Sequence, residues 1–304
     1  MGELLFPGLQ VVERGWLSAN LVLAHGRCSA AIDTGYASHE AQTVALVQAA
    51  FGPSGPQLLL NTHLHSDHCG GNAALQQQFA AMRTLIPPGQ AAQVVSWDVQ
   101  ALSYQPTGQH CPRFRQDGLL QPGQAIDLGD RSWQIHAAAG HDPHSVVLFE
   151  PLSRTLVSAD ALWENGFGAI FPELEGVQAF DEVGRTLDLI ESLEPVTVVP
   201  GHGPVFAYRS EVMVRARERL ASFVQDPRRH AKHGAKVLLK FKLLEVQQQR
   251  LSDYIAWACR TQQLQTVHRS WFSERSMEQW LDSVLGELQQ AGAAVLREGM
   301  ILDR

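Results

Sequence analysis

No stretch of this 304-residue sequence approaches the run of about 20 apolar residues that spans a bilayer. Its four cysteines, Cys28, Cys69, Cys111 and Cys259, lie far apart with no CxxC pair, which argues against both a disulfide framework and a thiolate metal site. The opening Met-Gly-Glu-Leu-Leu-Phe-Pro lacks a basic segment followed by a long apolar one. No secretory signal is read there, and a cytoplasmic location without membrane contact is the expectation. Repeats and low-complexity tracts are absent too. Lysine is scarce: the four, Lys232, Lys236, Lys240 and Lys242, fall in one short stretch. What remains is an ordinary globular composition, 45% hydrophobic and 18% charged, enough for one large domain with or without an appendage. The net charge of −7 divides unevenly, −12 over residues 1–208 and +5 over residues 209–304. Such a split suggests two parts with different tasks, or one shielding the other.

Residues 1–208 mix strand and helix patterns, which indicates a layered α/β (α+β) architecture. Strands are expected at residues 11–12, 20–24, 30–33, 57–61, 132–138, 146–150, 155–159 and 196–199. Helices are expected at 38–50, with Ser38 as N-cap, and at 71–79, 90–98 and 179–193. Residues 103–124, rich in Gly, Pro and Gln, read as a surface loop. From Arg209 the texture becomes helical, at 209–225, 232–248, 250–260 and 277–291, closed by a hairpin turning at Glu298-Gly299. This divides the chain into a catalytic domain, 1–208, and a small, mainly helical, winged-helix-like domain, 209–304.

The densest chemical signal is His63-Leu64-His65-Ser66-Asp67-His68, directly after the apolar run 57–61. Ligands at a strand end are held rigidly yet reach an open cleft. Two histidines at i and i+2 converge on one ion if the segment is extended, and Asp67 and His68 then reach a second. Gly70-Gly71 is expected to let the backbone turn tightly into the next helix without side-chain crowding. A lone surface histidine would be ordinary; four metal-capable side chains in six residues are hard to explain as packing.

This hexapeptide resembles the HxHxDH signature of the metallo-β-lactamase superfamily, and Asn61-Thr62 and Gly70-Gly71-Asn72 resemble the flanks in its glyoxalase II-like members. The resemblance runs through residues 10–208 and takes in Asp33, His141 in Gly-His-Asp-Pro-His-Ser, Asp160 in Ser-Ala-Asp and His202 in Pro-Gly-His-Gly, in the family's order. It implies a four-layer αββα sandwich. It also implies that His63, His65 and His141 bind one metal ion, that Asp67, His68 and His202 bind another, and that Asp160 bridges them. Asp67 is assigned a further part in orienting the nucleophile or accepting its proton. Such N/O donors suit Zn²⁺, and Fe²⁺ or Mn²⁺ also tolerate them. Two divalent ions about 3.5–4 Å apart clamp a developing oxyanion and lower the pKa of water to about 7.

Several neighbours have bland alternatives. Asp33 reads as a support behind the ligands rather than a ligand, Cys69 as packing, and His136 as a strand histidine outside the site. His144 is as readily a pocket or surface residue as a substrate contact. His110, Cys111, Trp163 and Phe167 either wall the cleft or form a hydrophobic plug. Lys232, Lys236 and Lys240 share one helix face and, with Arg228 and Arg229, suit phosphate backbones. A solvated face, or a complement to the acidic domain of this chain or a dimer mate, is the preferred reading. The leading function is therefore metal-dependent hydrolysis of a small ester, thioester or lactone. The alternatives are a ribonuclease or phosphodiesterase and a mononuclear iron persulfide dioxygenase; nucleic acid is the less favoured partner.

Overall fold

The structure, a computed structural model, describes residues 2–304. Seven strands form the first sheet in chain order: β1 (Glu3–Phe6), β2 (Leu9–Val12), β3 (Leu21–Ala24), β4 (Ala30–Ile32), β5 (Leu58–Leu60), β6 (Arg83–Ile86) and β7 (Gly118–Leu119). The first four pair antiparallel and the last four parallel, the crossovers carrying helices α1 (Glu40–Phe51), α2 (Ser66–Cys69), α3 (Asn72–Gln78), α4 (Ala91–Ser96) and α5 (Tyr104–Thr107). The second sheet contains β8 (Ala125–Leu128), β9 (Arg131–Ala137), β10 (Val146–Glu150), β11 (Thr155–Ala159), β12 (Thr197–Pro200) and β13 (Phe206–Ala207), also in sequential order. Helices α6 (Phe171–Leu174) and α7 (Phe180–Leu193) fall between β11 and β12.

Strand side chains alternate between faces, and both faces of each sheet are covered. On β3, Val22 and Ala24 join Ile32, Trp133, Leu148 and Val199 between the sheets, whereas Leu21 and Leu23 pack outward on Val47 and Leu75 of α1 and α3. On β10, Val146 and Leu148 face the inter-sheet core, and Val147 and Phe149 face α7 and α8 (Ser210–Gln225). Helix, sheet, sheet, helix is the resulting order of layers, as expected. Because Val212, Met213, Ala216 and Phe223 belong to that outer core, α8 completes the sandwich.

A separate core unites α9 (Pro227–Val246), α10 (Leu251–Arg260), α11 (Gln262–Trp271) and α12 (Met277–Gln290), through residues such as Leu239, Tyr254, Leu264 and Leu281. Beside them, β14 (Gln248–Arg250), β15 (Ala294–Arg297) and β16 (Met300–Asp303) form a small antiparallel sheet. Glu298 and Gly299, both at positive φ, turn the expected hairpin. Among the described residues, no helix is long and apolar enough to cross a membrane.

Three local expectations need correction, and one helix was not anticipated. Ser38 does not cap α1, because residues 37–39 form a 3₁₀ turn ahead of it. Residues 103–124 are no simple surface loop: Tyr104, Cys111, Phe114 and Leu120 are buried, and β7 extends the first sheet. α9 starts earlier than residue 232, since Asp226 accepts from the Arg229 amide and Pro227 occupies the first helical position. α11, broken from α10 only at Thr261, was not distinguished in the sequence.

Candidate metal centre

Chain ends of the inner strands deliver the donors. After β5 the chain turns through His63 and His65 into α2, which presents Asp67 and His68. Gly70 and Gly71 have ordinary negative φ, and the close packing around them agrees with the expected relief from side-chain crowding. Their role is space: a Cβ on Gly71 would lie 2.8 Å from the Thr34 carbonyl oxygen, so α2 could not sit against the Asp33 loop. Asp160 follows β11, and His202 follows β12. All seven side chains converge, with His63, His65 and His141 in one group, Asp67, His68 and His202 in a second, and His63, His68 and Asp160 in a third; within each the donor atoms lie within 4.8 Å of one another.

Asp160 sits where the groups meet: its Oδ1 is 3.5 Å from His68 Nε2, and its Oδ2 lies 3.4 Å from His141 Nε2 and 3.9 Å from His202 Nε2. Within the first group His65 Nδ1 is 3.1 Å from His63 Nε2 and 2.8 Å from His141 Nε2. In the second, His202 Nε2 is 3.1 Å from Asp67 Oδ2. Gly201 lets β12 pass this close, because a Cβ there would collide with Asp160 Oδ1 and His68.

Outer partners set the tautomers. His68 Nδ1 donates to Asp33 Oδ2 at 2.8 Å, His141 Nδ1 to the Ala169 carbonyl at 2.6 Å, and His202 Nδ1 to the Gly15 carbonyl at 3.3 Å. Each therefore aims Nε2 at the common focus. Asp33, held at a positive φ, also accepts from the Thr62 amide and hydroxyl, at 2.9 and 2.8 Å. It stands behind His68 and the β5 end, outside the three donor groups. His68 Nε2 is fully buried without a hydrogen-bond partner, an orphan explained by a cation at the focus. The donor set thus fits a divalent ion.

The two groups differ electrically. Burial, then the neighbouring His68, His65 and His141, hold His63 well below the ordinary histidine range, and burial holds His141 down to about 4. For His68 burial works in the same direction, but Asp33 and Asp160 outweigh it and push the ring well above that range. His202 is raised likewise, Asp160 and Asp67 overcoming burial. Burial would raise Asp160, yet His202, His68 and His141 hold its carboxyl well below the carboxylate range. In the first group His63 and His141 are held neutral; the second is a carboxylate–imidazole cluster.

Trp16 and Trp163 wall the cleft. Trp16 stacks on His202 with ring centroids 5.6 Å apart, and Trp163 Nε1 donates to Asp160 Oδ1 at 3.2 Å. Trp163 is thus a wall residue, whereas Phe167 is buried in the core beside α7. Val237 and Phe241 of α9 close the same cleft, and Tyr36 Oη donates to Glu245 Oε1 at 3.1 Å at the foot of that helix. Cys69 Sγ packs 3.7 Å from Cys111 Sγ and 3.2 Å from Tyr104 Oη, away from the focus. His110 donates its backbone N–H to Tyr36 Oη. His136 lies on β9 beside Gln134, and His144 lines a polar cavity of ≈ 590 Å³ on the His65 side, with Asp142, Glu175 and Glu182. Trp16 and the α9 wall carried no recognisable signal in the sequence.

The lysines do not form a free basic stripe. Lys232 and Lys236 both pair with Glu287, and Lys240 with Asp303 at 2.6 Å. Their complements are carboxylates of α12 and β16, not the acidic first part of the chain.

A two-sheet sandwich with histidines and carboxylates converging at the strand ends defines a metal-centre protein. Residues 14–202 match the family model of the metallo-beta-lactamase superfamily, and the chain belongs to that superfamily. The acyl-coenzyme A thioesterase MBLAC2 of Homo sapiens is 27% identical over 163 residues, 50% of this chain and 57% of that protein. A hydroxyacylglutathione hydrolase of Acidiphilium cryptum is 31% identical over 179 residues, 59% of this chain and 60% of that protein. This chain thus spans little more than half the length of either. A beta-lactamase domain protein from Burkholderia ambifaria has the same fold at a TM-score of 0.62 and 17% identity, covering 100% of this chain and 94% of its own.

Proposed function

We propose that this protein is a metal-dependent hydrolase of small acyl substrates, with a thioester ahead of an ester or lactone. The carrying observation is the convergence of seven donors with His68 Nε2 orphaned among them. The hydrolase names of its relatives support the same reading. In this proposal His63, His65 and His141 hold one divalent ion, Asp67, His68 and His202 the other, and Asp160 is shared. The donor set suits zinc first, with iron or manganese compatible. Divalent ions held there supply Lewis acidity toward the substrate carbonyl and a water nucleophile at neutral pH.

The chain's own residues do the rest. Asp67 lines the cleft beside His202 and, in this reading, orients the attacking water and accepts its proton. Asp33 keeps the His68 ring aimed, and Trp163 keeps Asp160 aimed. Trp16, Trp163 and Phe241 restrict water at the scissile bond, so that the charges act in a less polar medium. We also read the chain as two parts, with α8 assigned to the catalytic sandwich and the remainder to a small winged-helix-like part that supplies one cleft wall.

Elemental analysis of the purified protein, followed by assays on thioesters, esters, lactones and short RNA, tests this reading. Two metal equivalents with turnover of a thioester are expected. One iron per chain with oxygen consumed on a persulfide, or RNA cleavage as the sole activity, would overturn it. The pairing of the lysines with Glu287 and Asp303 makes RNA the less favoured substrate in this reading.

A further inference from the structure

Beyond Trp16 and Trp163 the cleft continues into a cavity of ≈ 510 Å³, lined mainly by apolar side chains that include Val237, Phe241, Leu244 and Leu288. Asn165, Arg219, His233 and Lys236 are shared between this cavity and a third one, of ≈ 910 Å³, between α8, α9 and α12. The metal focus, an apolar passage and a basic chamber therefore lie in series.

The chamber is built around Arg219. Its guanidinium lies 5.3 and 5.5 Å from the Phe223 and Phe167 ring centroids, and its Nε is sealed from solvent without a partner. Its Nη2 donates to His233 Nε2 at 2.8 Å, and among the described residues it has no carboxylate within ion-pair distance. His233 is held down to about 3 by burial and then by Arg219, so it serves as a neutral acceptor and removes none of the positive charge. Arg215 and Arg229 line the same chamber with no carboxylate paired to either side chain, Arg215 donating instead to the Glu164 carbonyl. Glu287 is shared by Lys232 and Lys236, which leaves that trio positive. A half-buried, aromatic-backed guanidinium with no carboxylate partner, in a chamber whose wall carries six basic side chains against the carboxylates of Glu218, Asp226 and Glu287, is suited to receive an anion.

The opposite approach to the metal, on the His65 side, carries Asp142, Glu175 and Glu182 and repels an anion. Charge therefore sets the direction in which a substrate lies. We propose that the chamber between α8, α9 and α12 is a phosphate subsite, and that the substrate is an acyl thioester whose thiol arm ends in a phosphorylated group. The arm crosses the apolar passage, placing the acyl carbon at the metal focus. Water adds its oxygen to that carbon, the C–S bond breaks, and the thiolate takes up a proton. The products are a carboxylic acid and a phosphorylated thiol, so a thioester-forming reaction on that thiol must supply the substrate. This inference rests on the thioester reading above and adds the subsite to it.

Three thioesters and one binding probe separate the two. Butyryl-coenzyme A carries phosphates on its arm, butyryl-pantetheine has the arm without them, and S-lactoylglutathione has carboxylates instead. With metal-loaded full-length protein, kcat/KM is expected to be at least tenfold higher for the first than for the second, through KM. That ratio should collapse toward one in Arg219→Gln, and in Arg229→Gln should Arg219→Gln fail to fold. Independently of turnover, calorimetry should show adenosine 3′,5′-bisphosphate binding to the wild type and at least tenfold more weakly to the variant. Equal turnover of the first two substrates, preference for the glutathione thioester, or no bisphosphate binding overturns the subsite while leaving thioester hydrolysis standing. Binding of the bisphosphate with no turnover of any thioester overturns the hydrolase reading and the substrate assignment together, leaving only an anion site.

Discussion

His68 and His202 are buried beside carboxylates, whereas His230, buried, and His233, partly buried, stand beside the Arg219 guanidinium. In the first setting Asp33, Asp160 and Asp67 lift the rings above the ordinary histidine range against the effect of burial. In the second, burial and then Arg219 press His230 to about 4 and His233 to about 3. Burial alone does not decide a histidine's charge; the sign of its neighbour does. The metal centre is an array of compensated charge with room for cations. The α8–α9 seam holds six basic side chains against three carboxylates, an excess of positive charge with room for an anion. Its two cation–π contacts contribute about 0.5–2 kcal/mol each, less than the several kcal/mol that burying an ion costs.

Removing the shared carboxylate should break the compensated side most severely. Asp160→Ala is expected to lose one metal equivalent by elemental analysis. Its kcat/KM should fall by more than the roughly 100-fold cost of losing a supporting residue. A variant with full turnover and two ions would sink the shared role. Gly201→Ala forces Cβ into Asp160 Oδ1 and should lower activity by about 10- to 100-fold, the scale of a disturbed ligand support, while circular dichroism stays native.

Asp33→Ala sharpens the contrast between the two ligand groups. It strips His68 Nδ1, the Thr62 amide and the Thr62 hydroxyl of one partner, each orphaned donor costing about 1–3 kcal/mol. Metal affinity should fall about 10- to 100-fold at the His68 group and less at the group containing His141, as read in a chelator competition with two resolved phases. Equal weakening of both phases would contradict the separation.

The positively charged side should reveal itself through pH. With folded values near 3 and 4 against 6.5 for unfolded histidine, His233 and His230 take up protons in the unfolded chain first. Their contribution to stability is complete above pH 6.5 and is lost as pH falls toward those folded values. Each adds at most about 1.4 kcal/mol per pH unit in that window. Urea unfolding between pH 6.5 and 5 should therefore show a shallower slope in His233→Asn than in the wild type. An unchanged slope would mean that His233 is not buried as a neutral acceptor.

Trp16→Ala is expected to have the smallest effect on folding. The residue is 56% exposed, so stability should shift by no more than about 0.5 kcal/mol in thermal unfolding. KM should rise a few-fold as the wall beside His202 opens.

Much of this was legible because the donors lie at the ends of strands whose apolar runs are plain. Residues 57–61 followed by His63-Leu64-His65-Ser66-Asp67-His68 placed the cluster at a strand end, and β10 and β11 were delimited to the residue. Residues 103–124 were misread because Gly, Pro and Gln favour loops locally, while the burial of Tyr104, Cys111 and Phe114 depends on a distant surface. Asp33 was recognisable as a support, but its bonds to Thr62 and His68 depend on β4 lying beside β5.

The amino-acid order by itself determined the alternation that builds two sheets, the donor types and the places where the chain leaves a strand. These are properties of neighbours along the chain, so they survive without coordinates. Only the tertiary structure decided which carboxylates the lysines meet, that α8 belongs to the sandwich, and that Arg219 stands half-buried without a carboxylate partner between the apolar passage and the basic chamber. Such facts depend on pairs far apart in sequence, such as Lys236 with Glu287 and Arg219 with His233 and Phe167, and local pattern carries no record of those distances.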